Sequence, residues 1–165
     1  MVVVSHHCTQ SIVADSQVKR EEVRTALKAR PNVIAHLCGH GHRTRAWFWT
    51  QGPGDAHGYP ELMEASGIDF PIQARLLELV DNGNGTLSLF TTQVEPNVAE
   101  GSPAFDGVSY AAAAANFPPV SYVSPGWQTE DRPFSNMEII MPVPAGVNAA
   151  LLPGKTGVES INRLQ

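Results

Sequence analysis

The chain has 165 residues and a formal net charge of −5, from 11 Lys and Arg against 16 Asp and Glu. This length suits one ordinary domain with a real core, and the 42% hydrophobic content excludes a chain that is disordered throughout. The acidic balance argues against a nucleic-acid binder, which needs a basic patch. No apolar run approaches the roughly 20 residues of a membrane span, and two cysteines cannot form the disulfide framework of a small secreted domain.

The chain opens on a β-branched run at residues 2–4, followed by Ser5 and two histidines. A short apolar run of this kind predicts a fully buried strand. It has neither the charged start nor the longer apolar segment of a signal peptide. Because a buried strand rarely opens a domain, the sequence predicts a sheet that begins upstream of Met1. A native N-terminal strand is the alternative.

A helix is predicted at residues 17–30, with Ser16 as its N-cap and Pro31 as its stop. Residues 33–38 form a second apolar run of strand length. A strand, a helix and a strand over this distance predict a βαβ crossover with two parallel neighbouring strands. The carboxyl ends of both strands then share one edge of the sheet, where α/β proteins place their ligands.

The middle of the chain is predicted to be mostly strands, at residues 61–68, 74–80 and 86–94. The Asp-Asn-Gly-Asn-Gly run at residues 81–85 predicts a hairpin between the last two strands, since Asn and Gly tolerate positive φ. The aromatic stretch at residues 47–49 could stack on a ligand, but alternating aromatic residues on a strand favour a place in the core.

From about residue 98 the sequence becomes rich in Ala and Pro. We therefore divide the chain into a sheet-bearing region, 1–97, and an Ala/Pro-rich, partly irregular extension, 98–165. A short helix is predicted at residues 110–116 and a short strand at residues 137–141. The rest of the extension either packs over the core or is partly disordered, and composition alone does not separate these.

Five of the six histidines fall in two tight groups: His6 and His7, and His36 with His40 and His42. The βαβ prediction places all of them except His36 at neighbouring strand ends. Neutral imidazole is a common ligand for zinc, manganese and iron. Gly41 should free the backbone so that the rings on either side turn toward one centre. His36 alternates with Leu37 inside the strand and is interpreted as a core or inter-sheet histidine.

Two segments carry a resemblance to a known family. Residues 3–8 are an apolar strand followed by His-His, and residues 33–43 are an apolar strand followed by Gly-His-X-His, with one helix between them. These resemble the last two metal-binding motifs of the calcineurin-like metallophosphoesterases. Residues 65–75 and 81–92 are similar to the sheet region that follows in a bacterial branch of that family. The resemblance covers about residues 1–95.

The resemblance implies an α/β fold, the C-terminal half of a four-layer αββα sandwich. It also implies hydrolysis of a phosphate mono- or diester by two divalent or trivalent metal ions (manganese, iron or zinc) and a bridging hydroxide. His6 and His40 match ligands of the second metal, and His42 matches a ligand of the first. His7 is the catalytic candidate, placed to hydrogen-bond phosphate or the leaving-group oxygen. Arg43 is a candidate contact to the phosphate, with an ordinary surface arginine as the alternative.

The family completes its site with four ligands from carboxylate and Asn motifs upstream of these histidines, and none precedes them here. The resemblance therefore implies that this chain is a fragment whose partners are the missing N-terminal half and a small phosphate-ester substrate. Alone, it should hold one metal ion weakly or none and be almost inactive. Its open sheet edge and exposed apolar strand faces should make it associate or aggregate. The sequence predicts no particular cellular compartment.

Other interpretations remain open. The chain could be a non-catalytic β-rich binding or structural module with a mononuclear or incidental metal site. Cys8 and Cys38 could join His6 and His40 in a zinc site, but their spacing favours buried free thiols.

Two further groups of polar residues are interpreted as non-functional. Asp55 and His57 lie on a glycine-rich loop that could cover the site, and a solvated loop is the favoured interpretation. Ser5 and Ser160 lack a convincing base and acid, so no hydrolase triad is predicted.

Overall fold

A computed structural model of the chain describes residues 1–53, 57–68, 72–115 and 132–144. These ranges form two β-sheets and two α-helices, with short 3₁₀ turns at Thr9–Ser11 and Arg132–Phe134. The strands are β1 Val2–His7, β2 Ala35–Gly39, β3 Arg45–Trp49, β4 Tyr59–Met63, β5 Ala74–Asp81, β6 Thr86–Val94 and β7 Asn136–Pro142. The helices are α1 Arg20–Lys28 and α2 Pro103–Ala115.

The first sheet, which we call the mixed sheet, has the strand order β1-β2-β4-β3. Strands β1, β2 and β4 run parallel, and β3 runs antiparallel to β4. Helix α1 connects β1 to β2, so the predicted βαβ crossover is confirmed. The carboxyl ends of β1 and β2 therefore lie side by side, with His7 opposite Gly39.

Helix α1 is shorter than predicted, and Ser16 is not its N-cap. Lys19 holds the N-cap position, and its backbone N–H donates to Glu22 at 3.4 Å. Val18 would extend the apolar side of a longer helix, but it is 54% exposed. Because a short helix depends on tertiary burial, an extra turn there would gain little.

The second sheet, which we call the antiparallel sheet, has the order β5-β6-β7. The predicted hairpin is confirmed: β5 and β6 pair from Asp81 with Leu87 onward. Gly83 and Gly85 take positive φ values of 68° and 84° in the turn, as the Asn-Gly pattern requires. The strand expected at 137–141 is confirmed as β7, so part of the Ala/Pro-rich extension completes this sheet.

Two other elements differ at their ends from the prediction. The strand expected at 61–68 is β4, which ends at Met63. The side chain of Glu64 then pairs with Arg75 at 2.8 Å. Helix α2 begins before residue 110, because Ser102 Oγ accepts the backbone N–H of Phe105 at 3.1 Å and starts the helix there. Residue 116 lies outside the described residues.

The two sheets pack face to face, and α1 covers the other face of the mixed sheet. Between the sheets lie buried or partly buried side chains from both: Ala35, Leu37, Ala46 and Leu62 on one side, and Leu77, Leu89, Met137, Ile139 and Met141 on the other. On the helix side, Leu27 packs on Val33 and Tyr59. The described residues therefore form an α/β structure with a helix layer and two sheet layers. None of the described helices is long and apolar enough to cross a membrane.

Strand β1 is not the fully buried strand that its sequence predicts. Val4 is 73% exposed and Val2 42% exposed, while Val3 packs on the helix side. The cause is position: β1 is the edge strand, and the inter-sheet cluster contains residues of β2, β3 and β4 but none described from β1.

Candidate metal centre

Three of the predicted site residues meet at the carboxyl ends of β1 and β2. One ring nitrogen from each of His6, His7 and His40 lies within 4.8 Å of the other two. The Nδ1 atom of His40 is 3.2 Å from the Nε2 atom of His6, and the ring centroids of His7 and His40 are 4.1 Å apart. All three residues are exposed. We call this set the three-histidine group.

An irregularity in β1 allows two consecutive histidines to join one group. Neighbouring residues of a regular strand point to opposite faces of the sheet. The pairing of β1 with β2 shifts register between Val4 and His7, so β1 carries one extra residue there. A bulge of this kind changes the direction of a side chain. Here the extra residue in β1 lets His6 and His7 both approach His40.

The backbone after β2 is also unusual. His40 and His42 have positive φ values of 68° and 50°, which non-glycine residues adopt only when their surroundings require it. A Cβ atom at Gly41, between them, would lie 2.6 Å from the Sδ atom of Met63. A larger residue there would therefore require the end of this flexible side chain to shift.

The electrostatics of the group favour metal binding. Desolvation of the ring, and then the positive charge that His7, His6 and His42 can carry, lower the pKa of His40 below its ordinary value of 6.5. Neutral imidazole is the form that binds a metal ion. Three such nitrogens fit zinc, manganese or iron, and in zinc enzymes three protein ligands leave a position open for substrate. The donor set therefore fits a transition-metal ion.

The remaining predicted residues of this loop lie near the group without belonging to it. His42 is partly buried and close enough for its charge to affect His40, but it is not one of the three. Arg43 is partly buried in the same loop. The structure thus groups His7 with two of the three predicted metal ligands.

The two cysteines form a disulfide bond, Cys8 to Cys38, with their Cα atoms 4.9 Å apart. Both are buried, as predicted, but the prediction of free thiols is wrong. A zinc site that shares these sulfurs with His6 and His40 is excluded while the bond is intact. The bond joins the residue after His7 to β2 and so connects the two strands beside the three-histidine group.

A buried polar network lies on the helix side of the mixed sheet. The carboxylate of Glu61 accepts Thr9 Oγ1 at 2.7 and 3.0 Å and lies 2.9 Å from Nδ1 of His36. Arg24 Nε donates to Thr9 Oγ1 at 2.9 Å. Burial by itself would raise the pKa of Glu61, but the hydrogen bonds from His36 and Thr9 outweigh it and hold that pKa below its ordinary value of 4.5. The interpretation of His36 as a core histidine is confirmed, since it is 2% exposed.

Ser5 extends this network to the surface, so a histidine and a carboxylate that the sequence analysis did not find for it lie in line with its hydroxyl. Its Oγ atom is 2.8 Å from Nε2 of His36, and it donates to the backbone oxygen of His7 at 2.7 Å. The signal that sequence reasoning missed is Glu61, a carboxylate inside a strand whose five residues are all buried. A charge in such a strand must have partners. Ser160 lies outside the described residues.

His57 does not belong to the candidate site. It is partly buried, with Nδ1 3.2 Å from the backbone oxygen of Lys28 and Nε2 2.8 Å from that of Val33. Those oxygens lie at the opposite end of β2, so the prediction of a solvated loop is wrong for His57. Residues 55–57 form an Asp-X-His sequence, but this histidine is directed away from the three-histidine group. Asp55 lies outside the described residues.

The aromatic residues of β3 lie mostly as predicted. Trp47 packs on the cluster of Cys8, Cys38 and Met63, and the guanidinium of Arg24 lies 3.6 Å from the ring centroid of Trp49. Phe48 is 53% exposed, which contradicts the core prediction for that residue. It lines an open cleft of about 400 Å³ between β3 and β7, at the end of the sheet that carries His57.

Comparison with known proteins gives no family. No family model matches the chain, and no curated protein matches it significantly. The resemblance to metallophosphoesterases thus depends on the motifs alone.

Proposed function

We propose that this chain supplies the histidine side of a metal centre that hydrolyses phosphate esters. The meeting of His6, His7 and His40 at the carboxyl ends of two parallel strands carries this proposal. This edge is where α/β sheets bind their ligands, and clustered imidazoles are suitable donors for a transition-metal ion. The order of the two histidine motifs, with one helix between them, is the reason for choosing phosphoester hydrolysis among metal-dependent reactions.

In this proposal the residues have different roles. His6 and His40 hold one metal ion, and His42 supplies a ligand for a second. His7 is exposed beside His6 and His40, and it hydrogen-bonds the phosphate or the leaving-group oxygen. Arg43 offers a planar fork of N–H donors that suits a phosphate group. When bound, the metal ions polarise the phosphoryl group and supply a nucleophilic water at neutral pH. Four further ligands come from protein outside this chain.

A second candidate function is a binding module with a single metal ion. One observation favours it: within the described ranges the three-histidine group includes no carboxylate. A bridging carboxylate is what lets a binuclear centre hold two cations against their mutual repulsion. The two candidates make different predictions for His42 and for phosphate.

Metal stoichiometry tests the site. After equilibrium dialysis with zinc or manganese, the wild-type chain should retain one ion, and His40→Ala should retain none. His57→Gln, which also removes one histidine but lies at the other end of β2, is the matched control and should keep the ion. Equal metal in the wild type and in His40→Ala would show that the group does not bind metal. A second ion that the wild type takes up at higher metal concentration and that His42→Ala does not take up supports the phosphoesterase assignment, whereas a single ion in both proteins favours the single-ion module.

Phosphate binding separates the two functions further. In the ³¹P NMR spectrum, inorganic phosphate should be broadened by the chain after dialysis against manganese and not by His40→Ala treated in the same way. Broadening requires phosphate close to the bound ion, as a phosphoesterase needs. A metal-loaded chain that leaves the phosphate signal unchanged would contradict the phosphoesterase and support the binding module.

A further inference from the structure

A continuous chain of hydrogen bonds connects the buried carboxylate of Glu61 to the backbone of His7. It runs from Glu61 to Nδ1 of His36 at 2.9 Å, from Nε2 of His36 to Ser5 Oγ at 2.8 Å, and from Ser5 Oγ to the oxygen of His7 at 2.7 Å. It begins in the core and ends at one member of the three-histidine group.

The directions of these bonds follow from the number of protons available. A carbonyl oxygen only accepts, and a hydroxyl has one proton, so Ser5 donates to the oxygen of His7. Nε2 of His36 must then donate to Ser5. Although the distances resemble a Ser–His–Glu triad, a protonated Nε2 cannot act as the base for Ser5. The arrangement is therefore suited to holding a backbone group and not to activating a nucleophile.

The chain of bonds spans the part of β1 where the sheet ladder is interrupted. The parallel register is regular from Val2 to Val4 and shifts before His7. Residues 5 and 6 lie inside this shift and have no regular partner on β2. The sheet pairing therefore does not fix the position of their backbone. Ser5 is inside the shift, and it connects His36 of β2 to the backbone two residues further along β1.

The buried end of this series of hydrogen bonds is enclosed by the protein. Glu61 is fully buried and His36 is 2% exposed. Thr9 Oγ1 also donates to the carboxylate, and it accepts from Arg24 Nε. Ser5 is exposed. Groups that orient metal ligands from behind commonly change metal affinity by about 10–100-fold when removed.

We propose that Ser5, His36 and Glu61 are positioning residues: through the backbone oxygen of His7 they set the direction in which the rings of His6 and His7 face His40. The metal-affinity part of this inference rests on the proposed function. The part that concerns ring contacts in the metal-free protein does not.

Ser5→Ala tests the proposal, with Ser5→Thr as the rescue variant because it keeps the hydroxyl at an exposed position. In the metal-free wild type, NMR should show cross-relaxation between the ring protons of His7 and His40. Ser5→Ala should lose this contact and Ser5→Thr should keep it, while the thermal unfolding midpoints of all three proteins stay close together. In a cobalt titration, Ser5→Ala should bind at least about tenfold more weakly than the wild type, with altered ligand-field absorption. Ser5→Thr should restore both.

Two opposite results distinguish this inference from the proposed function. Ring contacts and cobalt affinity that are unchanged in Ser5→Ala would overturn the positioning role and leave the metal site intact. The other result is that the ring contacts depend on the Ser5 hydroxyl but neither the wild type nor any variant binds cobalt. This result would support the positioning role and overturn the proposed function. A threonine variant that behaves like alanine would also overturn the role assigned to the hydroxyl.

Discussion

His36 lies in strand β2 and His40 directly follows that strand, but their surroundings are opposite. His36 is buried, and both ring nitrogens have polar partners. His40 is exposed, and the groups around it are other imidazoles. A buried histidine whose hydrogen bonds are satisfied contributes to the folded state. An exposed cluster of similar groups gains little from its own contacts and is free to bind a ligand.

The strongest way to test this contrast is to remove the acceptor of the buried network. Glu61→Ala leaves His36 and Thr9 in the core without their shared carboxylate. A buried donor left without its acceptor costs about 1–3 kcal/mol, and two are left here. Urea denaturation should show a loss of this size in the free energy of unfolding. Glu100→Ala, at an exposed position, is the control and should change it little. A Glu61→Ala protein as stable as the control would mean that the network contributes no stability.

Reducing the disulfide bond tests how far the exposed three-histidine group depends on the stability of the folded core. Reduction opens a covalent loop with a sequence separation of 30 residues, and loops of this size typically contribute about 3 kcal/mol. We expect the reduced protein to unfold at lower urea concentration and to lose part of the contact between His7 and His40. A variant with both Cys8→Ala and Cys38→Ala should not respond to the reductant. An oxidised and a reduced protein of equal stability would contradict the prediction.

The smallest expected effect is a pH dependence from the buried network. The pKa of Glu61 is lower in the folded than in the unfolded chain, so the stability it contributes is present above pH 4.5. It is lost as the pH falls through the folded-state pKa. Burial raises the pKa of Glu64 despite the Arg75 guanidinium, so its contribution has the opposite sign. It favours folding at low pH and is lost as the pH rises through the folded-state pKa.

Urea midpoints measured on both sides of pH 4.5 separate these two carboxyls. Glu61→Gln should flatten the loss of stability on acidification below pH 4.5, and Glu64→Gln should remove a gain of stability on acidification above it. Equal slopes in Glu61→Gln and in the wild type would show that Glu61 is not the titrating group.

The predictable parts of the fold are those with a local signal. The β1–α1–β2 crossover follows from the lengths and periodicity of its segments, and the β5–β6 hairpin follows from its Asn-Gly turn. The exposure of Val4 could not be predicted, because it depends on which strands the second sheet covers. The end of β4 and the start of α2 depend on single side-chain contacts, those of Glu64 and Ser102.

The candidate site was predictable in its residue types but not in its geometry. The two histidine motifs and the crossover bring His6, His7 and His40 to one edge of the sheet. Nothing local to the sequence indicates that β1 carries an extra residue there or that His40 adopts a positive φ. The disulfide was missed because the pairing of Cys8 with Cys38 depends on how the two strand ends meet in space.

Glu61 also has a consequence for how the mixed sheet assembles. Thr9 and His36 lie between the disulfide-bonded cysteines along the chain, and Glu61 reaches both from the later strand β4. If β4 paired with β2 one residue out of place, its side chains would all change faces. The carboxylate would then point toward the other sheet, and the donors would meet an apolar side chain. The same interaction that stabilises the core therefore also selects the correct alignment of β4.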